Sequence, residues 1–242
     1  SAYLGTLDRS TDALSNLAQE QVTLVEQTEI YDGQPGNSLY SLRVLSDNAP
    51  NWIHPDGWAD LGADDPNPDA GWYFDLPISK ERVIRNFEIR DGKAILLTTI
   101  PKDSPCEAGG NSILMMMSAC SGGRVGDVNQ SITVPDPENP GEEITIQTPS
   151  QPQFDIDGDG DLDIDDLMDI TIPDPAGGGG NITVTVPPSG VHYPVMMYTP
   201  KIIRHDTSGA PDLMYLPGAD NSLRMLPITP EQLGVYYWRC VE

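Results

Sequence analysis

The chain is short of positive charge. Thirteen Lys and Arg stand against 37 Asp and Glu, a formal net charge of -24 with three neutral histidines. So acidic a chain repels the phosphates of nucleic acids and of anionic lipids, which excludes both as partners and favours cations. Histidine and cysteine are scarce as well. His54, His192 and His205 lie far apart and form no metal-ligand spacing, so they are expected to be surface or hydrogen-bonded residues. Cys106, Cys120 and Cys240 show no zinc pattern; they allow one disulfide and leave one thiol. In an exported chain Cys120 pairs with Cys240, each near the end of an apolar strand-like run, or else with Cys106. No apolar run approaches the roughly 20 residues that a membrane-crossing helix needs. Ser1 opens neither a signal peptide nor a lipidation motif, as in a mature chain or a segment of a longer one.

Glycine and proline, by contrast, are plentiful at 23 each, and 38% hydrophobic residues suffice for a buried core. With few helix-periodic runs, this composition predicts a mainly β fold of short strands joined by turns. The one helix-like stretch runs from Ser10 to Val25, where Leu14, Leu17, Ala18, Val22 and Val25 recur at helical spacing behind Ser10, Thr11 or Asp12 as the N-cap. Its end, "TLVEQTEIY", is rich in β-branched residues and already turns towards strand. In "LYSLRVLS" Tyr40, Leu42 and Val44 alternate with polar residues, the pattern of a half-buried strand. "VIRNFEIRDGKAILLTTI" reads as a hairpin turning at Asp91-Gly92, a pair that tolerates the positive φ of a type I′ turn. Further strands are expected in "SILMMMSA", "PVMMYTPKIIR", "GVYYWRCV" and "DLMYLPGADNSLRMLPI", the last with a turn from Gly218 to Asn221. Contiguous Met115 to Met117 fit core filling better than a soft-metal site. Trp52, Trp58 and Trp72 accompany a Pro- and Asp-rich stretch that suits a recognition loop for sugar or protein, but ordinary packing is the stronger expectation for Trp58, and Trp72, in "GWYF", is expected in the core.

From 126 to 190 the texture changes to Pro, Gly and acidic residues, as in "PDPENPGEE" and "PDPAGGGG", which predicts a long, partly flexible insert in the β domain that spans 1–242. Inside it, "FDIDGDGDLDIDDLMD" places seven aspartates in the twelve positions from Asp155 to Asp166. Their spacing is that of a calcium loop. Asp155, Asp157 and Asp159 take positions 1, 3 and 5, Gly160 the sharp turn at 6, and Asp166 position 12. Alternate carboxylates supply the oxygens that a hard cation requires. Asp161 is expected to ligate through its main-chain carbonyl, Asp163 through a water, and Asp166 to close the shell, with Leu162 anchoring the loop to the core. An acidic solvated linker would have the composition but not this register. The absence of flanking helices argues for a stabilising Ca2+ site instead of a paired-helix sensor.

The run "GWYFDLPISKERVIRNFEIRDGKAILLTTIPKDSPCEAGGNSILMMMSACSGGRV", Gly71 to Val125, resembles the C-terminal region of the type IV pilus tip-associated adhesin and assembly family, PilC/PilY. A Gly-Trp-Tyr-x-Asp-Leu-Pro start, a Glu-Arg-Val step, a hairpin, a Pro-Cys-Gly-Gly segment and a Gly-Gly close follow in the family's order. "LAQEQVTLVEQTEI", the aspartate loop and "GVYYWRCVE" extend the likeness more weakly over most of the chain. Lys80 where the family has glycine, the long inserts, and Cys120 and Cys240 depart from it. The resemblance implies a β-propeller domain exported to the cell surface and pilus tip, supporting pilus assembly, adhesion and twitching motility in a calcium-linked way. Implied partners are minor pilins, host or abiotic surfaces and the N-terminal part of the same protein. Metal ligands carry over only at the matching aspartates. A propeller of seven blades needs roughly 300 residues or more, so the chain is expected to be the C-terminal portion of a longer protein.

Two other functions compete. A secreted docking module of the dockerin kind would use such loops, though normally two on helices. A propeller enzyme would need an acid/base pair, for which Asp75, Glu81 and Glu88 are the nearby carboxylates. No Ser-His-Asp order or phosphate-cradling glycine loop accompanies them, so a non-enzyme is expected.

Overall fold

The computed structural model describes residues 2–5, 23–50, 69–102, 109–125, 131–135, 143–147, 152–173, 180–205 and 211–228. Most of the helix expected from Ser10 to Val25 falls outside them, as do Trp52, Trp58, His54 and the C-terminal "GVYYWRCV". Thr23 and Val25, the end of that stretch, lie in a strand, as their β-branching favours. Among the described residues there is no α-helix, and the protein is mainly β.

The largest sheet is built from β3 (Glu29–Gly33), β4 (Leu42–Leu45), β6 (Arg82–Val83), β7 (Glu88–Arg90), β8 (Lys93–Pro101), β9 (Gly110–Ser118) and β14 (Gly190–Tyr193). Its order is β3-β4-β14-β9-β8-β6, with β7 also on β8, and every pairing is antiparallel. Asp91 (φ 48) and Gly92 (φ 71) both adopt positive φ, and Arg90 faces Lys93, so β7 and β8 form the expected type I′ hairpin. Its first arm is broken, however: Ile84 to Phe87 leave the ladder between β6 and β7.

This sheet is buried on both faces, which explains why β8 and β9 are apolar without alternation. Ile95, Leu97, Leu114 and Met116 face one cluster, whereas Leu96, Ile113, Met115 and Met117 face the other. The methionine run is thus shared by two cores and fills space, with its three residues at most 2% exposed. Double burial also corrects the half-buried reading of Leu42 to Leu45: all four are buried, Arg43 included, because layers cover both faces of β4, with Phe74 of the second layer over Arg43.

Over the first face lie Met168 and Ile170 of β12 (Met168–Pro173), Val186 of β13 (Asn181–Val186), and Met214, Leu216, Leu226 and Ile228 of the meander β15 (Lys201–Ile203), β16 (Asp212–Pro217) and β17 (Leu223–Ile228). β16 and β17 turn through Gly218 to Ser222, with Asn221 at φ 65, where the sequence places its turn. Over the second face lie Trp72 and Phe74 of β5 (Asp69–Phe74), which pairs antiparallel with β1 (Ala2–Gly5) and parallel with β2 (Thr23–Gln27). Trp72 is fully buried and its Nε1 donates to the Ala119 carbonyl at 3.1 Å, a core tryptophan as the sequence motif suggests. β10 (Ser131–Pro135) and β11 (Glu143–Gln147) make a separate hairpin.

The insert expected over 126–190 joins the core in its second half. Phe154, Ile156, Met168, Ile170 and Val186 pack with the central sheet, and β14 inserts between β4 and β9. Cys120 is disulfide-bonded, its partner lying outside the described residues.

Candidate metal centre

The aspartate loop joins buried Phe154 to β12. Gly158 (φ 84) and Gly160 (φ 98) take left-handed conformations that keep the loop tight enough for its carboxylates to turn inward. Asp155 accepts from the amides of Gly158 at 2.6 Å and Gly160 at 3.0 Å. Asp157 and Asp159 each accept from the amide two residues on, at 3.1 Å. These short-range bonds follow directly from Asp at alternate positions. The loop closes in a single 3₁₀ turn, Ile164–Asp166, with Asp163 as its N-cap and Asp166 bonding back to the Asp163 amide in a capping box.

Oxygens of Asp155, Asp157 and Asp159 lie within 4.8 Å of one another, and so do oxygens of Asp159, Asp161 and Asp163. Two ligands of one Ca2+, each 2.3 to 2.6 Å away, stand at most about 5 Å apart, so the first trio fits a shared ion. Asp166, expected to close the shell, belongs to neither group. It is 1% exposed, and its two oxygens accept from the amides of Ile156 at 2.7 Å and Asp163 at 3.1 Å. Each carboxylate oxygen keeps a further lone pair, so these bonds orient Asp166 without exhausting it. Burial pushes its carboxyl up to about 6, against the pull of the two amides, and Asp155 and Asp157 add repulsion. The Asp161 carboxyl is raised chiefly by the charge of Asp159. A cation here would relieve both.

The anchor is not the expected one. Leu162 is only half-buried; Ile156, two residues into the loop, is fully buried and takes its place. Position 8 rides on the outward arc between Gly158 and Ile164, whereas position 2 still follows Phe154 into the core. The loop also rests on the β3–β4 connection. The Leu39 amide donates to the Ile156 carbonyl at 2.8 Å, and Asn37 Nδ2 donates to the carbonyls of Asp165 at 3.2 Å and Leu167 at 3.1 Å. Asn37 escapes sequence reasoning because its partners lie about 130 residues away; its only local signal is the turn-forming "QPGNS".

The carboxylates considered for catalysis have other surroundings. Glu81 is bound on both oxygens by buried Arg43, at 2.8 and 3.0 Å, and by the Thr98 hydroxyl at 2.7 Å. Arg43 also faces Glu29 at 2.7 Å and Asp32 at 3.8 Å, and His192 Nε2 lies 3.3 Å from Asp32. Burial raises the Glu29 carboxyl and lowers the His192 imidazole. Asp75 and Glu88 are exposed.

Fold and site together define a mainly β protein with an acidic loop that could hold a metal ion. Compared with family models, curated proteins and solved structures, the chain matches none. No helix among the described residues is long and apolar enough to cross a membrane.

Proposed function

We propose that this chain is a calcium-stabilised β module of the type IV pilus tip, acting outside the cell in pilus assembly, adhesion and twitching motility. The observation that carries the calcium reading is the convergence of Asp155, Asp157 and Asp159 within 4.8 Å, in a loop whose closing Asp166 is already oriented by two amides. The pilus reading rests on the likeness of Gly71 to Val125. In that setting the N-terminal part of a longer protein completes a β-propeller, to which the β15–β17 meander contributes blade-like antiparallel strands, and minor pilins and a host or abiotic surface are the partners. Asp155, Asp157, Asp159 and Asp166 hold Ca2+ directly, Asp161 through its carbonyl and Asp163 through water.

The ion's role is structural. Like-charged carboxylates that cannot approach one another without it become a clamp that pins the insert to the β3–β4 connection. At one hundred times its dissociation constant, calcium bound only to the folded state stabilises it by about 2.7 kcal/mol. That corresponds to a rise of about 5 to 10 °C in Tm for a chain of this size. Calorimetric titration with calcium, using magnesium as control, should show one site that disappears with Asp157→Ala and Asp159→Ala together. Equal melting in calcium and chelator would refute the clamp. In cells, the same double substitution should lower surface piliation; normal piliation and motility would remove the pilus part while leaving the metal site.

A further inference from the structure

The chain's few cations are not evenly spread. Lys80, Arg82, Arg85, Arg90 and Lys93 are five of thirteen, placed within fourteen positions, in a protein of net charge -24. Arg90 is ion-paired with Asp212, and Glu81, one of the three acids of that stretch, is bound by Arg43. Where Ile84 to Phe87 leave the ladder, a cleft of about 210 Å³ opens between this segment and Thr199-Pro200. It reaches down to Ile95 and Leu97, and Phe87 and Glu88 stand on its rim.

Arg85 lines this cleft. Among the described residues its guanidinium makes no ion pair; it lies 5.2 Å from the Tyr198 ring centroid, and its Nε is buried without a hydrogen-bond partner. A guanidinium offers five donors, and one held over an aromatic face beside an apolar cavity is preorganised for a carboxylate. Phe87 on the cleft and Tyr198 against the guanidinium are both more than 40% exposed, as is Ile84, the chain neighbour of Arg85. The cleft is below the roughly 300 Å³ at which small-molecule sites begin, yet it suffices for one anchoring side chain of a larger partner.

We propose that this cleft is a docking pocket for an acidic partner polypeptide, which inserts one aromatic or aliphatic side chain onto Ile95 and Leu97 and sets a neighbouring carboxylate against Arg85. Glu88 then accepts a hydrogen bond from a partner amide. Arg85 and the apolar side chains beside it supply the charge complementarity, and the broken β6–β7 edge disfavours simple strand addition as the mode of contact.

The test uses the full calcium-loaded chain, 15N-labelled, titrated with a capped phenylalanyl-glutamate dipeptide and with its phenylalanyl-glutamine counterpart. The acidic probe should shift the amides of Phe87, Leu97 and Thr199 and bind at least about fivefold more tightly than the neutral one, as expected for a charge-assisted hydrogen bond. Arg85→Met, which keeps the apolar stem, should remove that preference, and Arg82→Met, on the exposed neighbour, should not. Tyr198→Leu, which removes the stacking platform but not the charge, should weaken the preference in part. Shifts elsewhere, no shifts at all, equal binding of the two probes, or equal loss in Arg82→Met would each overturn the proposal.

Discussion

Asp166 provides a direct handle on the empty loop. Its folded-state carboxyl titrates at about 6, against an ordinary 3.8, so without a metal ion the folded protein holds this proton more tightly than the unfolded chain does. The sign follows: in chelator, the stability contributed by the protonated form is complete below about pH 4 and is lost as pH rises through about 6. A difference of about two pH units corresponds to about 3 kcal/mol. Discounting for the solvent-exposed carboxylates around it leaves about 2 kcal/mol. Thermal melting in chelator at pH 4, 5, 6 and 7, compared between the wild type and Asp166→Asn, isolates this contribution from Glu29, which titrates in the same sense, and His192, whose lowered value acts in the opposite one. The wild type should lose stability relative to the variant across that window, by about 4 to 8 °C in Tm. Saturating calcium should abolish or reverse the slope, because the ion binds the ionised form. Parallel profiles for wild type and variant in chelator would refute this account of Asp166.

The buried Arg43–Glu81 pair yields a second expectation. Arg43→Met leaves the fully buried Glu81 carboxylate with only the Thr98 hydroxyl, and should cost about 3 to 5 kcal/mol in urea unfolding. Adding Glu81→Met should recover part of that loss, and strictly additive losses would show that the pair is not coupled. Lys80 carries φ 68 at the third position of a turn closed by the Glu81 amide and the Ile78 carbonyl at 3.0 Å. Lys80→Gly should therefore raise stability by up to about 1 kcal/mol in urea unfolding, and an unchanged or lowered midpoint would refute the strain account.

The sequence is most legible where structure is local. Asp91-Gly92 and the Gly218–Asn221 turn dictate their own backbones, and the aspartate spacing produces the short-range amide bonds that draw Asp155, Asp157 and Asp159 together. Period-two alternation failed at β4, where a second layer on the far side makes Arg43 a core residue; alternation reports one wet face, and here there is none. The break between β6 and β7 was invisible for a related reason, since Ile84 and Phe87 are apolar enough to read as strand while standing exposed. Nor does any local pattern announce that Asn37 and Leu39 support a loop more than 100 residues downstream, or that the second half of the insert belongs to the core. Such contacts depend on topology, which composition and period do not encode.

Burial of the central sheet on both faces has a chemical consequence as well. Six of the eight methionines, Met115, Met116, Met117, Met168, Met197 and Met214, are at most 2% exposed, whereas Met225 on β17 is 62% exposed. A sulfoxide inside β9 would place a polar atom in one of two apolar cores, while one at Met225 would meet water. An oxidant arriving from solvent therefore finds its first thioether at the rim, and the layers that hold the sheet together also keep its sulfur out of reach.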